Sequence, residues 1–230
     1  MKPLEEGSEA THLENYRVVD PDIRLTDIKP EETIVLIDNL RASSTIVTAL
    51  AMGIEAVIPL TADKKVFELK DDHVLTSGEF GSVKLDGYDI GNSPVELEAV
   101  CKNSQYKTLL IKTTNLVPLL LTFPHAVICS SLNLDAAAKY LENKKACIIP
   151  AGGNYGCAED LGVAFALGYK MTHPEFIDGM VSCFTRESAA AKHLAEIGYQ
   201  SDVDYISRTS IFDIVPVFDG KKIVRANDGR

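Results

Sequence analysis

No apolar run in this 230-residue sequence approaches the roughly 20 residues a membrane-spanning helix needs; runs such as 108–111 and 126–129 are far shorter. Residues 1–9 are acidic and have no apolar centre, so they do not read as a signal peptide. Positive charge is scarce: 23 Lys and Arg stand against 33 Asp and Glu, for a formal net charge of −10. That balance argues against nucleic acid as a partner, because a phosphate backbone demands clustered Lys and Arg. A small anionic metabolite stays open, since a few placed cations or a metal can reverse the sign locally. Cysteine is sparse and unpaired. Cys101, Cys129, Cys147, Cys157 and Cys183 form no CxxC, which reads as reduced thiols in a cytoplasm. The five histidines are scattered without HExxH or HxH spacing, and neither GxGxxG nor GxxxxGK[ST] occurs. Zinc, dinucleotide and Walker-type sites are therefore not expected.

What is present is an ordinary globular balance, 46% hydrophobic and 24% charged, in a length that suits one large domain or two small ones pressed together. Short apolar, β-branched runs at 33–37, 55–60, 73–76, 108–112, 126–129 and 146–150 read as strands, several buried on both faces. Between them lie helical stretches at 43–52, 62–69, 94–100, 117–121, 134–143 and 159–169. Gly53 stops the first, and Ser93-Pro94 supplies a cap and first-turn proline for the third. Strand and helix alternation predicts an α/β fold with a mostly parallel sheet flanked by helices. The C-terminal part reads as mixed α/β: a helix at 188–197 ended by Gly198, then strands at 203–206, 214–217 and 222–225, the last two joined by an Asp219-Gly220 turn. One compact unit is expected over 1–230, with 172–230 as the candidate for a smaller lobe.

Ligands of open α/β sheets bind beyond the carboxyl ends of the strands. The first strand is followed by Asp38-Asn39-Leu40-Arg41-Ala42-Ser43-Ser44-Thr45, the third by Ser77-Gly78-Glu79. The fourth leads into Thr113-Thr114-Asn115, and the sixth into a glycine-rich loop ending in Glu159-Asp160. Asp38, Glu79, Glu159 and Asp160 are hard oxygen donors that suit Mg²⁺. Ser43, Ser44 and Thr45 stand at a helix start, where free N–H groups and the dipole favour an anion. Arg41 offers a planar fork for phosphate or sulfonate, while Thr113, Thr114, Asn115, Asn92 and Ser93 add neutral groups. Each piece alone has a bland reading as a turn, a cap or a dipole-matching charge; their coincidence at four strand ends points to a shared site. Cys157 also lies near a helix start, but no histidine base is close to it in sequence.

These segments, with Gly87-Tyr88-Asp89-Ile90-Gly91-Asn92-Ser93-Pro94, resemble the 2-phosphosulfolactate phosphatase family of coenzyme M biosynthesis, and the likeness spans about residues 33–165. A fainter echo continues through Gly198-Tyr199, Asp202-Val203 and 213–216. The resemblance implies an α/β, Mg²⁺-dependent hydrolase that converts 2-phosphosulfolactate, a small anionic phosphate ester, to sulfolactate and phosphate. It implies catalytic roles for Asp38, Glu79 and Arg41, a metal set drawn from Asp38, Glu79, Glu159 and Asp160, and anion holding by the Thr113 to Asn115 turn. Two departures stand out: Leu116-Val117 where the family has Gly-Thr, and Val163-Ala164-Phe165 after the acidic pair. The first would remove a close backbone approach to ligand. Two mechanisms fit, attack by Asp38 to form an aspartyl-phosphate or attack by water with Asp38 or Glu79 as base. Leu40 stands where a haloacid-type Asp-x-Asp pair would place its second Asp, which favours water. Alternatives are a non-catalytic anion-binding homologue and a Mg²⁺-dependent lyase or isomerase of an α-hydroxy acid. The apolar C-terminal strands are a candidate homodimer contact.

Overall fold

The apolar run after Glu31 forms β2 (Glu32–Ile37), whose side chains divide between the two faces of a sheet. Ile34 and Leu36 enter one core while Val35 and Ile37 enter the other. Burial on both faces is what a continuous β-branched run requires, and it marks the interior of a parallel sheet. The structure, a computed structural model, describes residues 15–61, 66–69, 71–102, 105–173 and 179–226. Among these residues, ten strands form one sheet in the order β1-β8-β2-β7-β9-β10-β3-β6-β4-β5. The remaining strands are β1 (Tyr16–Val18), β3 (Ala56–Pro59), β4 (Val74–Phe80), β5 (Val83–Lys84), β6 (Thr108–Lys112), β7 (Val127–Cys129), β8 (Lys145–Pro150), β9 (Pro216–Phe218) and β10 (Ile223–Arg225).

Two parallel blocks make up most of the sheet: β1-β8-β2-β7 and β3-β6-β4. The hairpin β9–β10 joins them through three antiparallel pairings, with its turn at Asp219-Gly220 as the sequence suggests. Six strand steps separate β2 from β4, and sheets of this length accumulate twist at roughly 20–25° per step. The carboxyl ends of the two blocks, although joined through antiparallel strands, line one cleft.

Helices α1 (Ala42–Ala51), α2 (Pro94–Cys101) and α3 (Leu116–Thr122) cover one face, where Ile46, Leu50, Leu97, Leu116 and Leu120 pack with Leu36, Leu75 and Leu109. Helices α4 (Leu134–Tyr140), α5 (Ala158–Lys170) and α6 (Gly179–Glu187) cover the other, contributing Leu134, Val163, Leu167 and Val181. Each fully buried Leu or Ile contributes about 1.5–3 kcal/mol of transfer free energy. Helices α7 (Ala189–Glu196) and α8 (Gln200–Ile206) then pack at the site end, through Leu194, Val203, Tyr205 and Ile206.

The predicted α/β class and mostly parallel sheet are observed. Several local expectations are corrected. Residues 203–206 are helix, because Val203, Tyr205 and Ile206 turn one face inward against α1, α2 and α7. Ser77, Gly78 and Glu79 lie inside β4 rather than after it. Strands β1 and β5 and helix α6 were not foreseen. Part of the helix expected at 62–69 lies outside the described residues; within them, Val66–Glu68 is a 3₁₀ turn.

Candidate active site

The chain leaves β2 into a tight turn whose Leu40–Arg41 peptide is cis. Asp38, 6% exposed, accepts the Ala42 N–H at 3.3 Å through Oδ1, so its carboxylate closes the start of α1. Ser43 completes the turn: its N–H donates to the Asp38 carbonyl at 2.8 Å, and its Oγ accepts the Asp38 N–H at 2.9 Å. Asn39 is tied to three other segments. Its N–H donates to Asp160 at 2.7 Å, its amide nitrogen to Thr185 at 3.1 Å, and its Oδ1 accepts the Ser131 N–H at 2.9 Å.

Arg41 is buried and held on three sides. Its Nη1 donates to Asp202 Oδ2 at 2.8 Å, its Nη2 to the Ser82 carbonyl at 2.7 Å, and its guanidinium carbon lies 4.0 Å from the centre of the Tyr199 ring. Glu79, at the end of β4, accepts the Thr114 N–H at 2.6 Å, the Thr114 hydroxyl at 3.1 Å and the Ser82 N–H at 2.8 Å. It thereby clasps the turn after β6 to the β4–β5 hairpin.

After β8 the backbone passes through Gly152 (φ +64°) and Gly156 (φ +90°), left-handed positions that favour glycine. Within this loop Tyr155 stacks on His193 of α7, ring centres 4.1 Å apart. The loop delivers Glu159 and Asp160 into the first turn of α5, both buried. Asp160 accepts N–H bonds from Asn39 (2.7 Å) and Gly152 (2.9 Å), joining the ends of β2 and β8. Glu159 is different: its Oε2 is buried without a hydrogen-bond partner among the described residues.

These elements enclose an open cleft of about 640 Å³ lined by Asp38, Arg41, Glu79, Asn92, Thr114, Asn115, Glu159 and the glycine loop, with Ala190 and Leu194 of α7 as an apolar wall. Burial, then the charges of Glu79 and Glu159, push the Asp38 carboxyl up to about 7, against the pull of the Ala42 N–H and Arg41. Burial likewise raises Glu159. Burial, Asp38 and Glu159 raise Asp160 despite its two N–H donors. Burying several acids together is costly, and a cation relieves it.

No group of three or more His, Cys, Asp or Glu among the described residues forms a ready-made metal cage. A cation such as Mg²⁺ needs only one or two carboxylates, completing its shell with water and substrate oxygens. Asp38 and the unpartnered Oε2 of Glu159 meet that need, whereas Glu79 and Asp160 already spend both oxygens on N–H and O–H donors. The donor set fits a hard divalent ion.

The model of the family described as 2-phosphosulpholactate phosphatase matches residues 20–221. The chain belongs to the 2-phosphosulfolactate phosphatase family. A Thermotoga maritima protein named "Probable 2-phosphosulfolactate phosphatase" is 31% identical over 214 residues, 85% of this chain and 93% of its own. A Clostridium botulinum protein of the same name is 30% identical over 235 residues, covering 90% and 98%. As a member of this family the chain is a phosphoric monoester hydrolase acting on a phosphate ester, a chemistry in which a metal cofactor has a natural place. No helix among the described residues is long and apolar enough to cross a membrane.

Membership sharpens what the positions mean. Asp38, Arg41, Glu79, Asn92, Thr114, Asn115 and Glu159 line the cleft together. Ser43, Ser44 and Thr45 do not: all three are fully buried, and their hydroxyls serve Asp38 N–H, the Asn39 carbonyl and the Arg41 carbonyl. Fully buried and turned into their own helix start, these hydroxyls do not face an anion in the cleft. Thr113, two residues before the N-cap Asn115, accepts the Val117 N–H in the first turn of α3, and Ser93 caps α2 and donates to Asp202. Leu116, the departure from the family's glycine, points into the core and stays out of the cleft lining. Burial raises Cys157, which disfavours a thiolate. Sequence reasoning missed Asp202, Tyr199 and the α7 wall; only the faint Gly198-Tyr199 and Asp202-Val203 echo hinted at them.

Proposed function

We propose that this chain hydrolyses 2-phosphosulfolactate to sulfolactate and phosphate, with Mg²⁺ as its metal. The observation that carries this reading is the gathering of Asp38, Glu159 and Arg41 around one cleft, in a chain whose relatives bear that enzyme's name. The substrate brings phosphate, sulfonate and carboxylate groups to a cleft already lined by three acids, so a cation must bridge the like charges. Asp38 and Glu159 would hold it. When bound, Mg²⁺ offsets the charge on the phosphoryl oxygens and orients them.

The protein's own residues supply the rest. Asp38, buried in the cleft where desolvation and the charges of Glu79 and Glu159 raise its carboxyl in the metal-free protein, is placed to accept the proton of the attacking water. Glu79 is a poorer base because both its oxygens already accept hydrogen bonds. Arg41 turns a fixed positive charge toward the phosphoryl group as negative charge shifts to the leaving oxygen. Thr114, Asn115 and Asn92 line the cleft as neutral partners for the sulfonate and carboxylate. The α7 wall comes from the C-terminal part, so the whole chain works as one unit in this reading.

The test is phosphate release from 2-phosphosulfolactate and a panel of small phosphate esters, with Mg²⁺ or with EDTA. Metal-dependent release, fastest with 2-phosphosulfolactate, is the expected result. Consumption of substrate without release of inorganic phosphate would indicate a lyase or isomerase and overturn the reading.

A further inference from the structure

Arg41 is a long, flexible cation whose usefulness depends on where its fork is held. Its guanidinium has five N–H donors, and the structure shows two engaged, by Asp202 and by the Ser82 carbonyl. Tyr199 covers one face of the same group. Asp202 is itself fully buried, a rare state for a carboxylate unless it is paired. It is anchored beyond Arg41: Oδ1 accepts the Ser93 hydroxyl at 2.7 Å and the Val95 N–H at 3.4 Å, both at the start of α2. One carboxylate therefore binds α8, the first turn of α2 and the arginine at the cleft.

We propose that Asp202 is a positioning residue for the phosphatase reaction, fixing the Arg41 fork so that its remaining donors meet the anionic substrate. This inference rests on the reading of the cleft as a phosphatase site. Asp202 is absent from the residues lining the cleft, so it acts on substrate only through Arg41. The pair is buried on both sides, with side-chain exposures of 2% for Arg41 and 0% for Asp202, so solvent screens it little. Tyr199 and Asp202 also lie three residues apart on the same helical turn, so the start of α8 delivers both the ring under Arg41 and the carboxylate at its edge. A lysine could not substitute at position 41, because an ammonium lacks the planar fork that meets Asp202 and Ser82 at once.

The test is a kinetic cycle on the full-length protein. Asp202→Asn should lower kcat/KM by on the order of 100-fold, the scale of loss when a reacting group is held about 1 Å out of place. The inhibition constant for inorganic phosphate should rise with it. In an Arg41→Ala background the same Asp202→Asn change should cost nothing further, because its route to the substrate is already gone. Wild-type kinetics for Asp202→Asn, or losses that multiply in the double variant, would overturn the proposal. If Asp202→Asn does not fold, the comparison passes to Asp202→Glu, which keeps the charge but shifts it by one methylene against the Arg41 fork. A fall in kcat/KM with a raised inhibition constant for inorganic phosphate supports the proposal, and wild-type kinetics overturns it. A wild-type protein that releases no phosphate from any ester would refute the activity instead. The positioning role would then be read by calorimetric titration with inorganic phosphate and Mg²⁺: weaker binding by Asp202→Asn sustains it, and unchanged binding removes it.

Discussion

Asp38 sits in the cleft with its carboxyl pushed up to about 7 by burial and by the charges of Glu79 and Glu159, compared with an ordinary value of 3.8. Between those two values the folded protein holds a proton that the unfolded chain has released. By linkage, stability must fall as pH rises through this window and level off above it. Going from 3.8 to about 7 corresponds to about 4 kcal/mol at 1.36 kcal/mol per tenfold. Asp38→Asn keeps an oxygen to accept the Ala42 N–H and removes the titrating charge. At roughly 2–4 °C per kcal/mol for a chain of this size, the variant should melt on the order of 8–16 °C above wild type at pH 8. Thermal unfolding in EDTA from pH 4 to 9 measures this. The two proteins should nearly coincide at pH 4 and separate progressively up to pH 7. Phosphate release should meanwhile be lost, an exchange of stability for function that is common at catalytic sites. A variant that melts below wild type at pH 8, or by the same margin at every pH, would refute the reasoning.

Three further outcomes are expected. Glu79→Gln should lower stability by about 1–3 kcal/mol, because a carboxamide cannot accept from both Thr114 and Ser82 and leaves one N–H unpaired; denaturant unfolding checks this, and kcat/KM should fall as the Thr114 turn loosens. Leu116→Gly, which restores the family residue, should cost on the order of 3–5 kcal/mol from the cavity and helix penalty together, with no gain in phosphate release, because Leu116 faces the core. Cys157→Ala should leave kcat and KM within about twofold, since burial raises this thiol and a thiol so disfavoured makes a weak nucleophile; a large loss in steady-state assays would contradict the carboxylate mechanism.

The strands most readable from sequence were those buried on both faces, such as β2 and β8, because only a continuous apolar run satisfies two cores at once. Caps were equally legible: Ser93 accepts the Glu96 N–H and Pro94 opens α2, as their order suggests. Short elements were misread where their pattern was ambiguous. Val203-Asp204-Tyr205-Ile206 alternates like a strand, yet burial of Val203, Tyr205 and Ile206 against neighbouring helices settles it as α8. For the site, the acids and Arg41 were recognisable by chemical type at strand ends. Ser43, Ser44 and Thr45 were recognisable only as helix-start residues, and that pattern does not reveal whether a hydroxyl faces a ligand or its own turn.

By itself, the sequence determined the α/β class, the position of each long buried strand and the chemical character of the residues beyond their ends, because periodicity, capping and side-chain type are local properties. Tertiary structure alone decided how those ends meet. The β9–β10 hairpin enters the middle of the sheet, the ends of β4 and β6 nevertheless line one cleft with those of β2 and β8, and Asp202 reaches Arg41 across 161 positions of chain. It also gave the acids different roles, since Glu79 and Asp160 hold backbone with both oxygens while Asp38 and Glu159 line the cleft, with Oε2 of Glu159 lacking a partner among the described residues. Such assignments depend on which donors lie within about 3 Å in space, a matter on which neighbours in sequence are silent.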